Sequence, residues 1–239
     1  MQYRNFWIFD LILNVEENRK GRVLGQMSQK LPAHELVYQQ LREMVLFGDI
    51  APGQAVTIQG LIGQLGVGMT PVREAIRRLT AEGALQALGN RRIVVPQLAV
   101  SDLEQLAFAR LAIEPRLAEL SVKYLTDIDI VAIEQIDSAL NIAIENGDVT
   151  GYLRENYRFH MAIYDASHAP LLTDLARGLW LRFGPSLRVV CGRFGTQNLP
   201  DRHRQALDAM RDRDAGAAAQ AIREDLEQGF EQVRHSLRV

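Results

Sequence analysis

The fold of the N-terminal region is decided by the stretch Gly66-Val67-Gly68-Met69-Thr70-Pro71-Val72-Arg73-Glu74-Ala75-Ile76-Arg77-Arg78-Leu79. Thr70 can accept hydrogen bonds from the free N–H groups of a first helical turn, and Pro71 suits that turn because its φ is already helical. We therefore predict a helix that begins at Thr70. Its apolar side chains recur at i, i+3, i+4 and i+7 and share one face: Val72, Ala75, Ile76 and Leu79. Three arginines point away from that face: Arg73, Arg77 and Arg78.

The flanking residues complete a DNA-binding unit. Residues 57–65 have the pattern of a shorter helix, and Gly66 follows it at the position where glycine commonly ends a helix. Two helices joined by a glycine-containing turn, with arginines on the second, form a helix-turn-helix whose second helix lies in a major groove. Downstream, residues 85–88 and 93–96 read as two strands around a tight turn. This wing carries Arg91 and Arg92 at its tip, where they can reach phosphate or the minor groove.

Residues 1–26 do not fit this unit. They contain a short apolar run, residues 6–13, that is interrupted by Asp10 and has no small-residue cleavage site. The run is too short to span a bilayer and is not a convincing signal peptide. We expect either that translation begins at Met27 or that the extension is a disordered arm. The alternative is an amphipathic segment that packs on a partner subunit.

The remaining sequence divides into two predicted domains and a mainly α fold. A winged helix-turn-helix domain covers residues 27–98, and its first helix is expected at residues 33–48. An all-α bundle covers residues 99–239, because periodic apolar segments follow one another there without strand-like alternation. We expect its helices near Ser101–Leu125, Ile128–Asn146, Val149–Ala166, Pro170–Val190, Pro200–Arg211 and Asp214–Leu237. Ser101 and Asp214 are predicted N-caps, and Gly147 is a predicted helix stop.

The distribution of charge agrees with this division. The net charge of the chain is −2, but residues 1–98 carry 11 Lys+Arg against 8 Asp+Glu, and the acidic excess lies in the remainder. Local positive charge, rather than the total, steers a protein to DNA. Cys191 is the single cysteine, which excludes an internal disulfide and fits a reducing cytoplasm.

The stretch GVGMTPVREAIRRLTAEGAL resembles the signature of the GntR family of bacterial transcription regulators, and the resemblance extends from about Leu36 to Leu98. It implies a winged helix-turn-helix that binds an operator. Gly68 replaces the family's usual Ser, and Met69 replaces an Arg that contacts DNA, so we expect altered or weaker operator preference. A glycine usual at the wing tip is also displaced. The residues predicted to contact DNA are Thr70, Arg73, Arg77, Arg78, Arg91 and Arg92.

Four polar residues stand out in the bundle. Asn156 and His160 are four residues apart and therefore project from one face of one helix, while His203 and Asp225 lie on the last two helices. Taken singly, each of them fits a structural role, since a lone histidine is more often a hydrogen-bonded or surface residue than a metal ligand.

From about Ser101 onward the chain is similar to the FCD domain, the effector domain of the FadR-type branch of GntR regulators. In many such domains an Asp and three His hold a divalent metal, and a small carboxylate completes its coordination. The resemblance assigns these positions to Asn156, His160, His203 and Asp225, of which the first replaces the Asp and the last replaces a His. Two imidazoles and one carboxylate remain, enough for zinc by default or for nickel, manganese or iron. The alternative is a site that has lost its metal and whose polar groups satisfy one another or bind the effector directly.

Arg110 and Glu114 are also four residues apart. They form either a helix-face ion pair worth a few tenths of a kcal/mol or, by resemblance to the FCD pattern R-x-x-x-E, a ligand-facing pair. A guanidinium binds a carboxylate in bidentate geometry, so Arg110 is the candidate effector anchor.

These observations predict a cytoplasmic, homodimeric, repressor-type transcription regulator. Two winged domains bind a short palindromic operator in double-stranded DNA, and a small organic acid or sugar acid in the bundle lowers operator affinity. No membrane partner is expected. The alternatives are a metal-dependent enzyme with a two-His/carboxylate site, and a DNA-binding dimer without an effector.

Overall fold

The structure is a computed structural model that describes residues 32–88, 92–194 and 201–237. The predictions for residues 1–26, for Met27 as initiator and for Arg91 lie outside these ranges. The described elements run in the order α1 (Ala33–Leu46), β1 (Ala55–Thr57), α2 (Ile58–Leu65), α3 (Met69–Ala81), β2 (Gln86–Leu88), β3 (Arg92–Val94), α4 (Val100–Ser121), α5 (Asp127–Glu145), α6 (Val149–Asp165), α7 (Pro170–Phe194), α8 (Arg202–Arg211) and α9 (Ala215–Leu237). The predicted mainly α fold, with a winged helix-turn-helix before a helical bundle, is confirmed.

Helix α3 begins one residue earlier than predicted. Its first residue is Met69 and its N-cap is Gly68, which has an extended backbone and no side chain to cap the helix. The prediction that Thr70 caps the helix is therefore wrong. A proline is tolerated anywhere in a first turn, because the N–H groups there have no intrahelical partner, so Pro71 does not fix the start to one residue. The predicted apolar face is confirmed, since its four residues are buried.

Helix α2 has the ends that the sequence predicts. The Thr57 hydroxyl accepts a hydrogen bond from the Gly60 N–H at 3.0 Å, which satisfies one free donor of the first turn. Gly66 ends the helix with φ +65°, and its N–H donates to the Ile62 carbonyl. A residue with a side chain would be strained at that φ, so glycine permits the sharp turn into α3.

The wing belongs to a sheet with one more strand than predicted. Strands β2 and β3 form the predicted hairpin, with Ala87 opposite Ile93, and β1 pairs with the other edge of β3. The strand order is β1-β3-β2, so β3 is central. Strand β1 is three residues long, too short for its alternation to be recognised in sequence. Ile93 of β3 is buried, and this residue anchors the wing to the helices.

The bundle helices follow the predicted segments, with corrections at their ends. Ser101 is not an N-cap: α4 starts at Val100, and the carboxylate of Asp102 reaches back to accept the N–H of Ala99 at 2.9 Å. Asp214 does cap α9, because its carboxylate accepts the N–H of Ala217 at 2.9 Å. Gly147 has φ +67° just after α5, as expected of a helix stop.

Residues 33–239 form one compact unit in which the winged region packs on the bundle. Helix α1 lies against α7, and a side chain at Gly184 would meet the carbonyl oxygen of Leu46 at 2.5 Å. Close approach of the two helices therefore requires glycine there. On the same helix, Arg182 donates from Nε to the Glu82 carbonyl at 3.1 Å, just beyond the end of α3. Among the described helices, none is long and apolar enough to cross a membrane.

Candidate functional site

The three arginines on the outer face of α3 differ in the partners that they contact. Arg73 is exposed and has no ion-pair or hydrogen-bond partner among the residues that the structure describes. Arg77 is also exposed and pairs with Glu74 at 2.6 Å one turn away. Exposed pairs of this kind are weak and exchange readily for other partners. Arg73 and Arg77 are therefore available to phosphate or base edges.

Arg78 is bound to the protein itself. Its guanidinium lies 3.5 Å from the centre of the Tyr38 ring and forms ion pairs with Glu35 at 2.9 Å and Glu82 at 3.3 Å. The Tyr38 hydroxyl in turn donates to Glu82 at 2.9 Å. These contacts join α3 to α1, so Arg78 has a structural task whether or not it also touches DNA.

The other predicted DNA contacts that the structure describes are also exposed. Thr70 is exposed in the first turn of α3, and Arg92 is exposed at the first residue of β3. Met69, which replaces the arginine expected from the family pattern, keeps 44% of its surface exposed. An exposed thioether cannot replace a guanidinium as a donor to phosphate.

The bundle contains a cluster of three ligand-type side chains from three helices. The ligand atoms of His160 on α6, His203 on α8 and Asp225 on α9 all lie within 4.8 Å of one another. Nε2 of His160 is 3.1 Å from one Asp225 oxygen, and Nε2 of His203 is 3.8 Å from the other. Both histidines are buried, and the Asp225 side chain is 22% exposed. Asn156 is buried one turn before His160 on α6, as its spacing predicted.

Two further residues hold the histidines in place. Nδ1 of His203 lies 2.9 Å from the carboxylate of Asp137, a buried residue on α5. Nδ1 of His160 lies 3.0 Å from the Tyr164 hydroxyl. The His203 ring also stacks on Phe159, with ring centres 3.8 Å apart. Sequence reasoning missed Asp137 and Tyr164, although an aspartate within the buried apolar face of α5 was a visible signal.

Burial and neighbouring charges shift the pKa values of His160, His203 and Asp225 in different directions. Burial lowers the pKa of His160 and keeps its imidazole neutral. Burial also opposes protonation of His203, but its hydrogen bond with Asp137 and the charge of Asp225 outweigh this and raise its pKa. For Asp225 burial alone would raise the pKa, but the two imidazoles and Arg110 outweigh it and the pKa is lowered. The carboxylate is therefore ionised at neutral pH.

The donor set fits a divalent metal. Nε2 of His160 is buried and has no hydrogen-bond partner among the described residues, although an oxygen of Asp225 lies 3.1 Å away. A buried polar atom without a partner is costly and calls for an explanation. Two imidazole nitrogens and a carboxylate at these separations are a common ligand set for zinc and for nickel, manganese or iron.

Arg110 and Glu114 lie next to this cluster and are not the helix-surface pair that was one of the two expectations. Both side chains are almost fully buried, and both Nε and Nη2 of Arg110 donate to the Glu114 carboxylate. The guanidinium also lies 4.2 Å from the Trp180 ring centre and 4.7 Å from that of Phe183. Whether Arg110 anchors an effector remains a prediction, since two of its three nitrogens already have a partner in the protein.

A cleft of about 350 Å³ lies elsewhere, between the winged region and the bundle. Its walls include Gln97, Gln105 and Arg182. None of the three clustered ligand-type residues lines this cleft, so the cleft and the cluster are two separate sites.

The fold and the cluster together define a class: a winged-helix DNA-binding protein with a helical bundle that carries a ligand-type polar site. The chain belongs to the GntR family of bacterial regulatory proteins, because the gntR family model matches residues 33–95 and the FCD domain model matches residues 105–228. As a member of this family of regulatory proteins, it is a DNA-binding transcription regulator and not an enzyme.

Named relatives agree with this membership. The chain is 31% identical over 154 residues to the HTH-type transcriptional regulator McbR of Escherichia coli strain K12, covering 64% of this chain and 70% of McbR. It is 24% identical over 213 residues to the HTH-type transcriptional repressor RspR of the same strain, covering 87% of this chain and 92% of RspR. The solved structure of E. coli McbR/YncC is similar with a TM-score of 0.82 and 26% identity, over 87% of this chain and 99% of that one.

Proposed function

We propose that this regulator is a homodimeric repressor whose operator affinity falls when a small carboxylate binds at a divalent metal in the bundle. The observation that carries the proposal is the convergence of His160, His203 and Asp225 around a buried nitrogen without a hydrogen-bond partner. Asn156, on the same helix face as His160, would supply a neutral carbonyl oxygen as a further, weaker ligand. We further propose that the protein acts in the cytoplasm, where its DNA and a reducing environment are found.

A metal held by these residues supplies an electrophilic centre to which a carboxylate oxygen can bind. The protein supplies the surroundings: Arg110 adds positive charge beside the cluster, and its Nη1 has no described partner. A small organic acid or sugar acid would therefore bind the metal through one oxygen and could accept a hydrogen bond from this nitrogen through another.

The DNA contacts follow from the geometry of α3. We propose that Thr70, Arg73 and Arg77 contact the major groove, with Arg92 and the neighbouring Arg91 on phosphate or in the minor groove. Arg78 then acts mainly by holding α3 against α1. Two copies of α3, one from each subunit, would bind the two halves of a palindromic operator.

Exposed apolar side chains on the bundle support the homodimer. Ile128, Val131 and Ile142 form one exposed row on α5, and Leu171 and Leu175 form another at the start of α7. Large apolar side chains that lie in rows on a surface are typical of an interface. A dimer that buries these rows would join two winged regions in one molecule.

The proposal is tested by operator binding with a matched pair of histidine variants. DNA selected by the protein from random duplexes is labelled, and its affinity is measured by fluorescence anisotropy with Zn²⁺ and with a panel of small dicarboxylic, hydroxy and sugar acids. We expect at least one acid to weaken binding tenfold or more, which requires a difference of about 1.4 kcal/mol in its affinity for the two protein states. His203→Ala should abolish the response, whereas His168→Ala, a change at an exposed histidine stacked on Tyr124 outside the cluster, should keep it.

A DNA-binding dimer without an effector remains the second candidate, since the hydrogen bonds of the cluster can also be structural. It would be favoured if no acid in the panel changed operator affinity and none raised the melting temperature of the metal-loaded protein.

A further inference from the structure

The buried carboxylate of Glu114 collects hydrogen bonds from three side chains. Arg110 donates from two nitrogens, the Tyr164 hydroxyl lies 2.7 Å from Oε2, and the Trp180 indole N–H lies 2.9 Å from the same oxygen. Arginine and tryptophan are donors only, and an ionised carboxylate is an acceptor only. The three residues come from α4, α6 and α7, so Glu114 is a hub at the centre of the bundle.

The directions of these bonds determine where the Tyr164 proton lies. A hydroxyl has one proton and can donate it once. Between Tyr164 and Glu114 a proton is required, because two oxygens with lone pairs only would repel one another at 2.7 Å. Tyr164 therefore donates to Glu114, and its oxygen is left as an acceptor toward His160, whose Nδ1 is 3.0 Å away.

His160 must then carry its proton on Nδ1. Nδ1 is the nitrogen that faces the Tyr164 oxygen, and only an N–H there makes the 3.0 Å contact a hydrogen bond. A neutral imidazole protonated on Nδ1 has a lone pair on Nε2. Independently, Nε2 of His160 lies 3.1 Å from Asp225 without hydrogen-bond geometry, as expected if it has no proton to donate.

The neighbouring histidine is arranged in the same way. The Asp137 carboxylate accepts from Nδ1 of His203 at 2.9 Å, and Nε2 of the same ring lies 3.8 Å from Asp225. Each imidazole thus has a carboxylate behind it, directly for His203 and through one hydroxyl for His160. Such outer partners fix the tautomer and ring orientation of histidines that bind metals.

We infer that Glu114 and Tyr164 are positioning residues that fix His160 as the Nδ1–H tautomer in the metal-free protein, so that Nε2 is a bare lone pair facing Asp225 and His203. The inference rests on the metal site proposed above and adds two residues to it that touch no metal. It also gives the buried Arg110 a role that needs no effector, because Arg110 donates two hydrogen bonds to Glu114 and holds its carboxylate beside Tyr164.

The test reads the tautomer directly in the full-length protein without metal. Long-range ¹H–¹⁵N correlation spectra of ¹⁵N-histidine-labelled protein distinguish a bare ring nitrogen from a protonated one, and His160→Gln assigns the His160 signals by their loss. We expect a bare Nε2 and a protonated Nδ1 in the unchanged protein. In Tyr164→Phe, which removes only the hydroxyl, the His160 signals should shift toward the Nε2–H tautomer. Tyr157→Phe removes a hydroxyl from the same helix that faces Arg42, and it should leave the His160 signals unchanged.

The second measurement is the affinity for Zn²⁺ alone, by competition with a chromophoric chelator. Loss of an outer partner typically weakens metal binding tenfold to a hundredfold, so we expect about tenfold or more for Tyr164→Phe and no change for Tyr157→Phe. A protein that binds no Zn²⁺ but has the expected tautomer would contradict the proposed metal site and uphold the inference. A His160 protonated on Nε2, or spectra and affinity unchanged in Tyr164→Phe, would overturn the inference even if Zn²⁺ binds.

Discussion

The outer face of α3 and the centre of the bundle use arginine in opposite ways. Arg73 is exposed and has no described partner, whereas Arg110 is 1% exposed and is bound to Glu114 through two nitrogens. An exposed arginine without a partner costs little in the free protein and is ready to bind phosphate or base edges. A buried one must be neutralised within the protein, and its loss is felt by everything that packs around it. The same residue type is therefore a contact in one region and a support in the other.

Breaking the buried pair should give the largest effect. Glu114→Gln leaves the Arg110 guanidinium buried without its counter-charge, so we expect a loss of about 3–5 kcal/mol in the free energy of unfolding. Urea denaturation followed by circular dichroism measures it. The control is Glu74→Gln, which breaks the exposed pair with Arg77 and should leave stability unchanged within error. Equal losses in the two variants would contradict the distinction between the regions.

Removing the free arginine should affect DNA and not the fold. We expect Arg73→Ala to weaken operator binding by about 1–3 kcal/mol, or roughly tenfold to a hundredfold, with unchanged stability. Anisotropy titrations at several salt concentrations measure both affinity and salt dependence. Arg116→Ala, a change at an exposed arginine on α4 that pairs with Glu119, serves as the control. Full operator affinity in Arg73→Ala would show that α3 does not read the groove through this residue.

Arg78 tests whether an arginine on the recognition helix can act as a support. Arg78→Ala removes the stacking on Tyr38 and the pair with Glu35, and we expect a loss of about 1 kcal/mol in stability, since the side chain is partly exposed. Thermal unfolding at fixed salt measures the loss, with Arg77→Ala as the neighbouring control. A large loss of operator affinity without any loss of stability would instead make Arg78 a direct DNA contact.

The smallest expected effect is on the reactivity of Cys191, which is buried in the bundle. Burial raises the pKa of Cys191 to about 12, so almost no thiolate exists at pH 8. Ellman's reagent should leave the folded protein unreacted at pH 8 and should label one thiol per chain after unfolding in urea. Rapid labelling of the folded protein would show that α7 opens around this residue.

The sequence was most informative where a single helix determines the outcome. The buried face of α3, the Gly66 turn and the cap at Asp214 follow from local spacing and backbone chemistry, and the structure confirms them. The exact helix starts were less predictable. Gly68 and Ala99 begin helices without a side-chain cap, so propensity alone favoured Thr70 and Ser101.

The buried network could be predicted only in part. Resemblance pointed to His160, His203 and Asp225, and the structure brings them together from three helices. Asp137 and Tyr164 remained hidden because their roles depend on which residue of another helix lies opposite. Glu114 was visible as a partner of Arg110, but its contacts with Tyr164 and Trp180 bridge 50 and 66 residues of sequence. Strand β1 was missed for a related reason, since it is defined by pairing with β3 and not by its own pattern.

Elemental analysis by plasma mass spectrometry tests whether the bundle cluster holds a divalent metal. The purified protein is compared with His203→Ala and with His168→Ala, in which an exposed histidine outside the cluster is removed. We expect close to one metal per chain in the unchanged protein and in His168→Ala, and its loss in His203→Ala. Absence of metal from all three proteins after growth and purification with added Zn²⁺, or equal metal content in both variants, would contradict it.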